Sequence, residues 1–350
     1  MSAEERAAKE FSTIKEKYVI DGNADYPDPE YLIRIGEVPT LPKGNLVAVS
    51  AKWKNGKTFF CDILAGIFLG SKLFKNCENL IKEGKVRFID TEQAKNDTAR
   101  ILKTILAMTP EERHSDIEVS CLRDAEIDTI DNSSNEISRY EFVRRSIEIE
   151  QPDLLIVDGI ADLIYNYNDV IESQEIVKNL SVLANKYNCC IVVVMHQNKG
   201  SRDKTMKGHI GTMLYQKCSD VFEVEKSGSL FIVTHPVSRH GRSSGLTFKL
   251  DDNVIPMDAA ADRQLQLEQK AKAEQQLKLA KTREAIAEFF PEDGSPILKK
   301  DLVEAMKEKK GIKLAMCYRH INNALVQGVL EEKSNHQLVL RHEHGTDDGN

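Results

Sequence analysis

The stretch Val47-Ala48-Val49-Ser50-Ala51-Lys52-Trp53-Lys54-Asn55-Gly56-Lys57-Thr58 constrains this chain more than any other. It reads as an apolar strand running into a loop that closes on Gly-Lys-Thr and opens a helix. The pattern G-x-x-x-x-G-K-[ST] binds phosphate for three reasons: backbone N–H groups point into one concavity, a lysine neutralises the β- and γ-oxygens, and a hydroxyl holds Mg²⁺. Ala51 stands where the first glycine belongs, so the match is one residue short. The flanks supply the context the motif needs, with Leu46 to Val49 as a short buried strand and Phe59 to Leu69 as an apolar run of helix length. The candidate nucleotide-binding set is Lys52, Trp53, Lys54, Asn55, Gly56, Lys57, Thr58 and Phe59. The plain alternative is a chance Gly-Lys-Thr at a strand-to-helix turn.

At 350 residues the chain has room for one large domain and a small one. Hydrophobic residues make up 41% and charged residues 29%, a balance that excludes a mainly disordered chain. Apolar runs stop short of the roughly 18 residues a membrane span needs, and Met1-Ser2-Ala3-Glu4-Glu5-Arg6 is too charged to begin a signal peptide. A cytoplasmic protein without a membrane partner is expected. The seven cysteines lack C-x-x-C spacing and several fall in apolar runs, which favours reduced, packed thiols over disulfides or zinc. A net charge of −7 argues against a uniformly basic nucleic-acid coat, so any DNA contact must be regional.

Further along, Lys85 to Glu92 reads as a second buried strand ending in two carboxylates, Gln151 to Asp158 as a third ending in one, and Cys189 to Met195 as a β-branched run. Helical segments alternate with them at Asn96–Met108, Ser138–Ile149 and Ser173–Tyr187. Apolar strands alternating with helices predict an α/β fold with a mostly parallel sheet and helices on both faces. Ligand chemistry on such sheets collects at the carboxyl ends of the strands. Phe222–Val224 and Leu230–Thr234 suggest a hairpin about Lys226-Ser227-Gly228-Ser229, and Leu246–Leu250 adds a strand. Five divisions follow: an N-terminal helical extension (1–35), the α/β domain (36–258), a polar helical linker (259–281), a small helical domain (282–343) and a disordered tail (344–350).

Asp158 is placed to bind Mg²⁺ next to Thr58; the alternative is a helix cap or turn residue. Phosphoryl transfer to water needs a group that orients the attacking water, and a carboxylate on the strand adjacent to the phosphate-loop strand can reach that point. Glu92, nearer the tip than Asp90, is the candidate, against a merely solvated strand-end acid.

With these residues in view, the sequence resembles the RecA-like P-loop ATPases, specifically the hexameric replicative helicase branch that includes plasmid RepA and DnaB. Phe88-Ile89-Asp90-Thr91-Glu92, Ile156-Val157-Asp158-Gly159 and Val193-Val194-Met195-His196-Gln197-Asn198-Lys199 are similar to three of its strand motifs, in the same order over roughly residues 36–250. The resemblance implies an ATP- and Mg²⁺-dependent enzyme in which Glu92 is catalytic and Gln197 senses the γ-phosphate, with His196 beside it. It also implies that Gly200–His209 faces single-stranded DNA in a channel, where Arg202, Lys204 and Lys207 would neutralise phosphates; a solvated loop is the alternative. Val237–Gly245 is similar to the arginine-finger segment. Arg239 fits best there, and Arg242 is its substitute because Val237 stands where a lysine is usual. A homo-oligomer is implied, a hexameric ring or a filament. Lys52 also matches the signature lysine of partition-type ATPases, but Trp53 and Lys54 replace the glycines that should follow it.

Three helices and a terminal hairpin after residue 282 predict a winged helix-turn-helix. Its third helix carries Lys313, Tyr318, Arg319, His320, Asn322, Asn323 and Gln327 with no acid before Glu331, which suits a DNA groove, Tyr318 and Arg319 foremost. Leu314, Ile321, Leu325 and Val329 are its expected buried stripe. Winged helices also dock proteins. Two functions from different classes follow: a helicase or DNA-remodelling motor serving mobile-element or plasmid replication, or an ATP-switched DNA-binding regulator without unwinding.

Overall fold

Successive side chains of each central strand enter two different hydrophobic clusters, which is why those strands are apolar from end to end. Val47, Val49, Ile156, Val192 and Val194 belong to one cluster; Ala48, Leu155, Val157, Ile191 and Val193 belong to the other. A sheet buried on both faces requires this pattern. The computed structural model describes residues 2–125, 137–200, 203–291, 293–333 and 335–341. The chain divides into two units, Met1–Ala260 and Ala261–Asn350.

The first unit begins with α1 (Ala3–Tyr18), started by a Ser2–Glu5 capping box. It continues through β1 (Tyr31–Ile35), β2 (Val38–Pro42), β3 (Leu46–Ala51), α2 (Lys57–Phe68), β4 (Cys77–Asn79), β5 (Val86–Asp90) and α3 (Lys95–Met108). Next come β6 (Ile117–Cys121), α4 (Arg139–Arg145), β7 (Leu154–Asp158), α5 (Val170–Tyr187), β8 (Cys190–His196) and α6 (Gly208–Lys217). The unit closes with β9 (Asp220–Ser227), β10 (Leu230–Ser238), β11 (Leu246–Leu250) and β12 (Pro256–Asp258). Its nine-stranded sheet has the order β12-β11-β10-β9-β3-β8-β7-β5-β6. From β9 to β6 neighbouring strands are parallel; β10, β11 and β12 extend the sheet antiparallel.

Two expectations are corrected here. Tyr31–Ile35, assigned to a helical extension, is a strand in a three-stranded antiparallel sheet of order β2-β1-β4, and Leu32, Ile33 and Ile35 enter the same core as α2. The strand carrying Glu92 is not adjacent to the phosphate-loop strand, because β8 and β7 lie between β3 and β5.

The second unit contains α7, a single helix from Ala260 to Ala287 that runs through the expected linker. It is followed by β13 (Ile297–Leu298), α8 (Lys299–Lys310), α9 (Leu314–Val326), β14 (Leu330–Glu332) and β15 (Gln337–Leu340), the strands forming a small antiparallel sheet β13-β15-β14. Its core gathers Ile286, Phe289, Leu302, Met306, Cys317, Ile321, Ala324 and Leu338. The buried stripe of α9 is Cys317, Ile321 and Ala324, not one beginning at Leu314, which is the helix's first residue and is 52% exposed. Residues 342–350, including the expected tail, lie outside the described residues. No helix among the described residues is long and apolar enough to cross a membrane.

Candidate nucleotide site

The carboxyl ends of β3, β5, β7 and β8 converge on a cleft of about 760 Å³ whose floor is the loop from Trp53 to Thr58. The loop ends at Gly56, the N-cap of α2, where φ is +84° and no side chain caps the helix. The first-turn N–H groups of α2 are thus left for an anion, at the positive end of the helix dipole. Glycine is required at 56 twice over, because a Cβ there would also stand 2.6 Å from the Phe231 ring. Without the motif's first glycine, the loop makes its left-handed turn at Lys54, with φ +58°. Trp53 is 72% exposed at the rim, with the Lys54 ammonium 4.3 Å from its ring. Phe59 and Phe231 form an apolar wall, and Phe231 stacks on Phe248.

Across from the loop, Thr58 donates a 2.6 Å hydrogen bond from Oγ1 to Asp158 Oδ2. Asp158 is 3% exposed, and burial pushes its carboxyl up to about 6 despite the Thr58 hydroxyl. Lys57, also buried, is held below the ordinary lysine range by desolvation, which Asp158 and Glu92 only partly offset. Its Nζ donates to His196 Nδ1 at 2.9 Å. That bond makes His196 Nε2 the protonated nitrogen, and it faces Glu92 Oε1 at 3.4 Å. The His196 hydrogen bond holds the Glu92 carboxyl below its usual range, so Glu92 is an ionised acceptor at neutral pH.

Asp90 is buried and does structural work, accepting from the N–H groups of Glu92 and Gln93 and from the Thr98 hydroxyl. It fixes the turn that carries Glu92 into the cleft. Gly159 has φ +114°, and a Cβ there would stand 2.1 Å from Thr91 Oγ1, so the chain beyond Asp158 packs directly against the Glu92 turn.

The other expected site residues lie elsewhere. Gln197 turns away from the cleft and donates from Nε2 to Ser50 Oγ at 3.2 Å; His196 takes the place facing Lys57. Lys52 and Lys204 line a smaller depression with Gln197 and Glu225, and Lys204 pairs with Glu225 at 2.8 Å. Lys207 lies over the Tyr167 ring at 4.7 Å. Arg202 falls outside the described residues. Arg239 and Arg242 are exposed and do not line the cleft; Arg239 donates to Lys217 O. Tyr318 and Arg319 are exposed on α9 of the second unit.

The segment bearing Arg239 and Arg242 is anchored by a buried network that sequence reading missed. His235 accepts from Ser243 N–H at Nδ1 (3.0 Å), donates from Nε2 to Asp220 Oδ1 (3.0 Å) and stacks on Phe222. Ser219 donates to the other Asp220 oxygen at 2.9 Å. These bonds hold Asp220 below the usual carboxylate range although burial acts the other way. Asp62 was also missed. It is 1% exposed, forms part of the cleft wall, and is driven well above the carboxylate range by burial and by Asp158 and Asp90. An acid inside the apolar run Phe59–Leu69 was its available signal.

A helix N-terminus with a free cap, a buried lysine, and a hydroxyl and carboxylates from neighbouring strands define a phosphate-loop nucleotide-binding ATPase. Residues 9–202, more than half of the chain, match the AAA domain family, and the chain belongs to that family. A crystal structure of the RadB recombinase is similar over 61% of this chain and 90% of that chain, at 18% identity and a TM-score of 0.41. No curated protein matches.

Proposed function

We propose that this chain is a RecA-like, Mg²⁺-dependent ATPase of the RepA/DnaB type that moves or remodels DNA, in the service of mobile-element or plasmid replication. The observation that carries the ATPase part is the convergence of Thr58–Asp158 with Lys57–His196–Glu92 at one helix N-terminus. Thr58 and Asp158 fit a divalent cation: they are oxygen donors already within 2.6 Å of each other, and a buried carboxylate so close to other acids calls for positive charge. When bound, Mg²⁺ would supply charge neutralisation on the β- and γ-phosphates.

The chain's own groups do the rest. The first-turn N–H groups of α2 and the Lys57 ammonium hold the phosphates, Lys57 exchanging His196 for phosphate oxygen. Glu92, ionised, orients a water and accepts its proton as the oxygen attacks. His196, tied to both, reports whether Lys57 is engaged. Arg239 or Arg242 acts from a neighbouring copy, which explains why both are exposed and absent from their own cleft. Lys204, Lys207 and Arg202 meet single-stranded DNA, and the second unit works as a winged helix presenting Tyr318 and Arg319 to duplex DNA. The arrangement of α7, α8 and α9 with the β13-β15-β14 sheet supports that last reading.

The second reading is an ATP-switched DNA-binding regulator, favoured by Lys52, which stands at the position of the partition-type signature lysine. DNA-stimulated turnover with strand separation, together with ATP-dependent assembly in sedimentation, supports the motor. Slow, DNA-insensitive turnover by a dimer that unwinds nothing would replace it with the switch.

A further inference from the structure

Asp62 lies four residues beyond Thr58 on α2, so the two share one face of that helix. Its neighbours Phe60, Cys61, Ile63 and Leu64 are wholly buried in the apolar core, and an apolar side chain would suit position 62 as well. Yet Asp62 Oδ1 is buried with no hydrogen-bond partner among the described residues, while the residue belongs to the cleft wall with Thr58 and Asp158. Unpartnered buried carboxyls are strongly unfavourable, and this one borders the space where the nucleotide's cation belongs.

We propose that Asp62 is a positioning residue for that cation, accepting hydrogen bonds from its water shell behind Thr58 and Asp158. Outer-shell partners of this kind orient the inner ligands and typically account for about 10- to 100-fold in metal affinity. The inference rests on the nucleotide reading of the cleft.

The test is a Mn²⁺ titration of the full chain with saturating ADP, read by the loss of the free-ion electron paramagnetic resonance signal. It is run on wild type, Asp62→Asn and Asp62→Leu, with melting temperatures measured without ligand. Asp62→Leu should weaken Mn²⁺ binding about 10- to 100-fold, leave metal-free ADP binding unchanged and raise the melting temperature. Asp62→Asn, which keeps one acceptor oxygen, should fall between, and it decides the matter if the leucine variant does not fold. Wild-type Mn²⁺ affinity in either folded variant overturns the proposal and leaves the ATPase reading intact. A wild-type chain that binds no Mn²⁺ with ADP overturns both.

Discussion

Two buried polar clusters sit on the same sheet, and they are opposite in kind. Around Asp220 every group has its complement: His235 donates to one carboxylate oxygen, Ser219 to the other, and Ser243 N–H closes the far side of the imidazole. Around Asp158 there is a lysine held below its ordinary range, an aspartate pushed up to about 6, and in Asp62 an acid with a buried oxygen that has no hydrogen-bond partner among the described residues. A satisfied network fixes structure; an unsatisfied one waits for a ligand to complete it. The contrast separates the anchor of the Arg239 segment from the place where phosphate chemistry belongs, although both are buried carboxylate sites at strand ends.

The largest effect that could break this contrast is catalytic. Glu92→Gln should lower ATP turnover about 10²- to 10⁴-fold, the usual contribution of a general base, while leaving ATP binding near wild type. Turnover unchanged by the substitution would remove Glu92 from the reaction.

Next in size is a pair of identical substitutions with opposite signs. Asp158 has a folded pKa raised above its unfolded value, so its contribution to stability is full below about pH 4 and is lost as pH rises through about 6. Asp158→Asn should therefore stabilise the ligand-free protein at pH 8, by on the order of 3 kcal/mol, and the gain should vanish in acid. Asp220 has its pKa depressed, so its contribution is present at neutral pH and is lost as pH falls through the folded value. Asp220→Asn should destabilise at pH 8 by about 1–3 kcal/mol, with the deficit shrinking in acid. Chemical denaturation at about pH 8 and about pH 3 reads both; shifts of the same sign at the higher pH would mean the two clusters do not differ as described.

A smaller effect sharpens the anchor's role. His235→Phe keeps the stack on Phe222 but drops the bonds to Asp220 and Ser243, and should loosen the Arg239–Gly245 segment to amide exchange while α2 stays protected. Equal exchange in wild type and variant would show that the network does not hold that segment.

One side of this contrast could be read from the chain. Gly-Lys-Thr after an apolar strand located the loop, and the acids closing Leu154–Asp158 and the Lys85–Glu92 segment located two cleft walls. What escaped was what depends on position in space. Strand order is not written in a parallel sheet, so Glu92 was expected one strand away from β3 when it is three away. At the tip of β8 neighbouring residues face opposite ways, and one position of parity decided between His196 and Gln197. The small β2-β1-β4 sheet was hidden because its strands are three to five residues long and carry prolines and charges. His235 lies 15 residues from Asp220 and 8 from Ser243, with only the fold bringing them together.

Trp53, the chain's single tryptophan, stands on the rim of the phosphate loop, and its emission reports directly on whether a nucleotide is gripped there. Titration with ATP·Mg²⁺ should give a saturable fluorescence change in the wild-type chain and none in Lys57→Ala. An unaltered signal in a wild-type chain shown by equilibrium dialysis to bind ATP, or a wild-type titration from Lys57→Ala, would place the nucleotide somewhere other than this cleft.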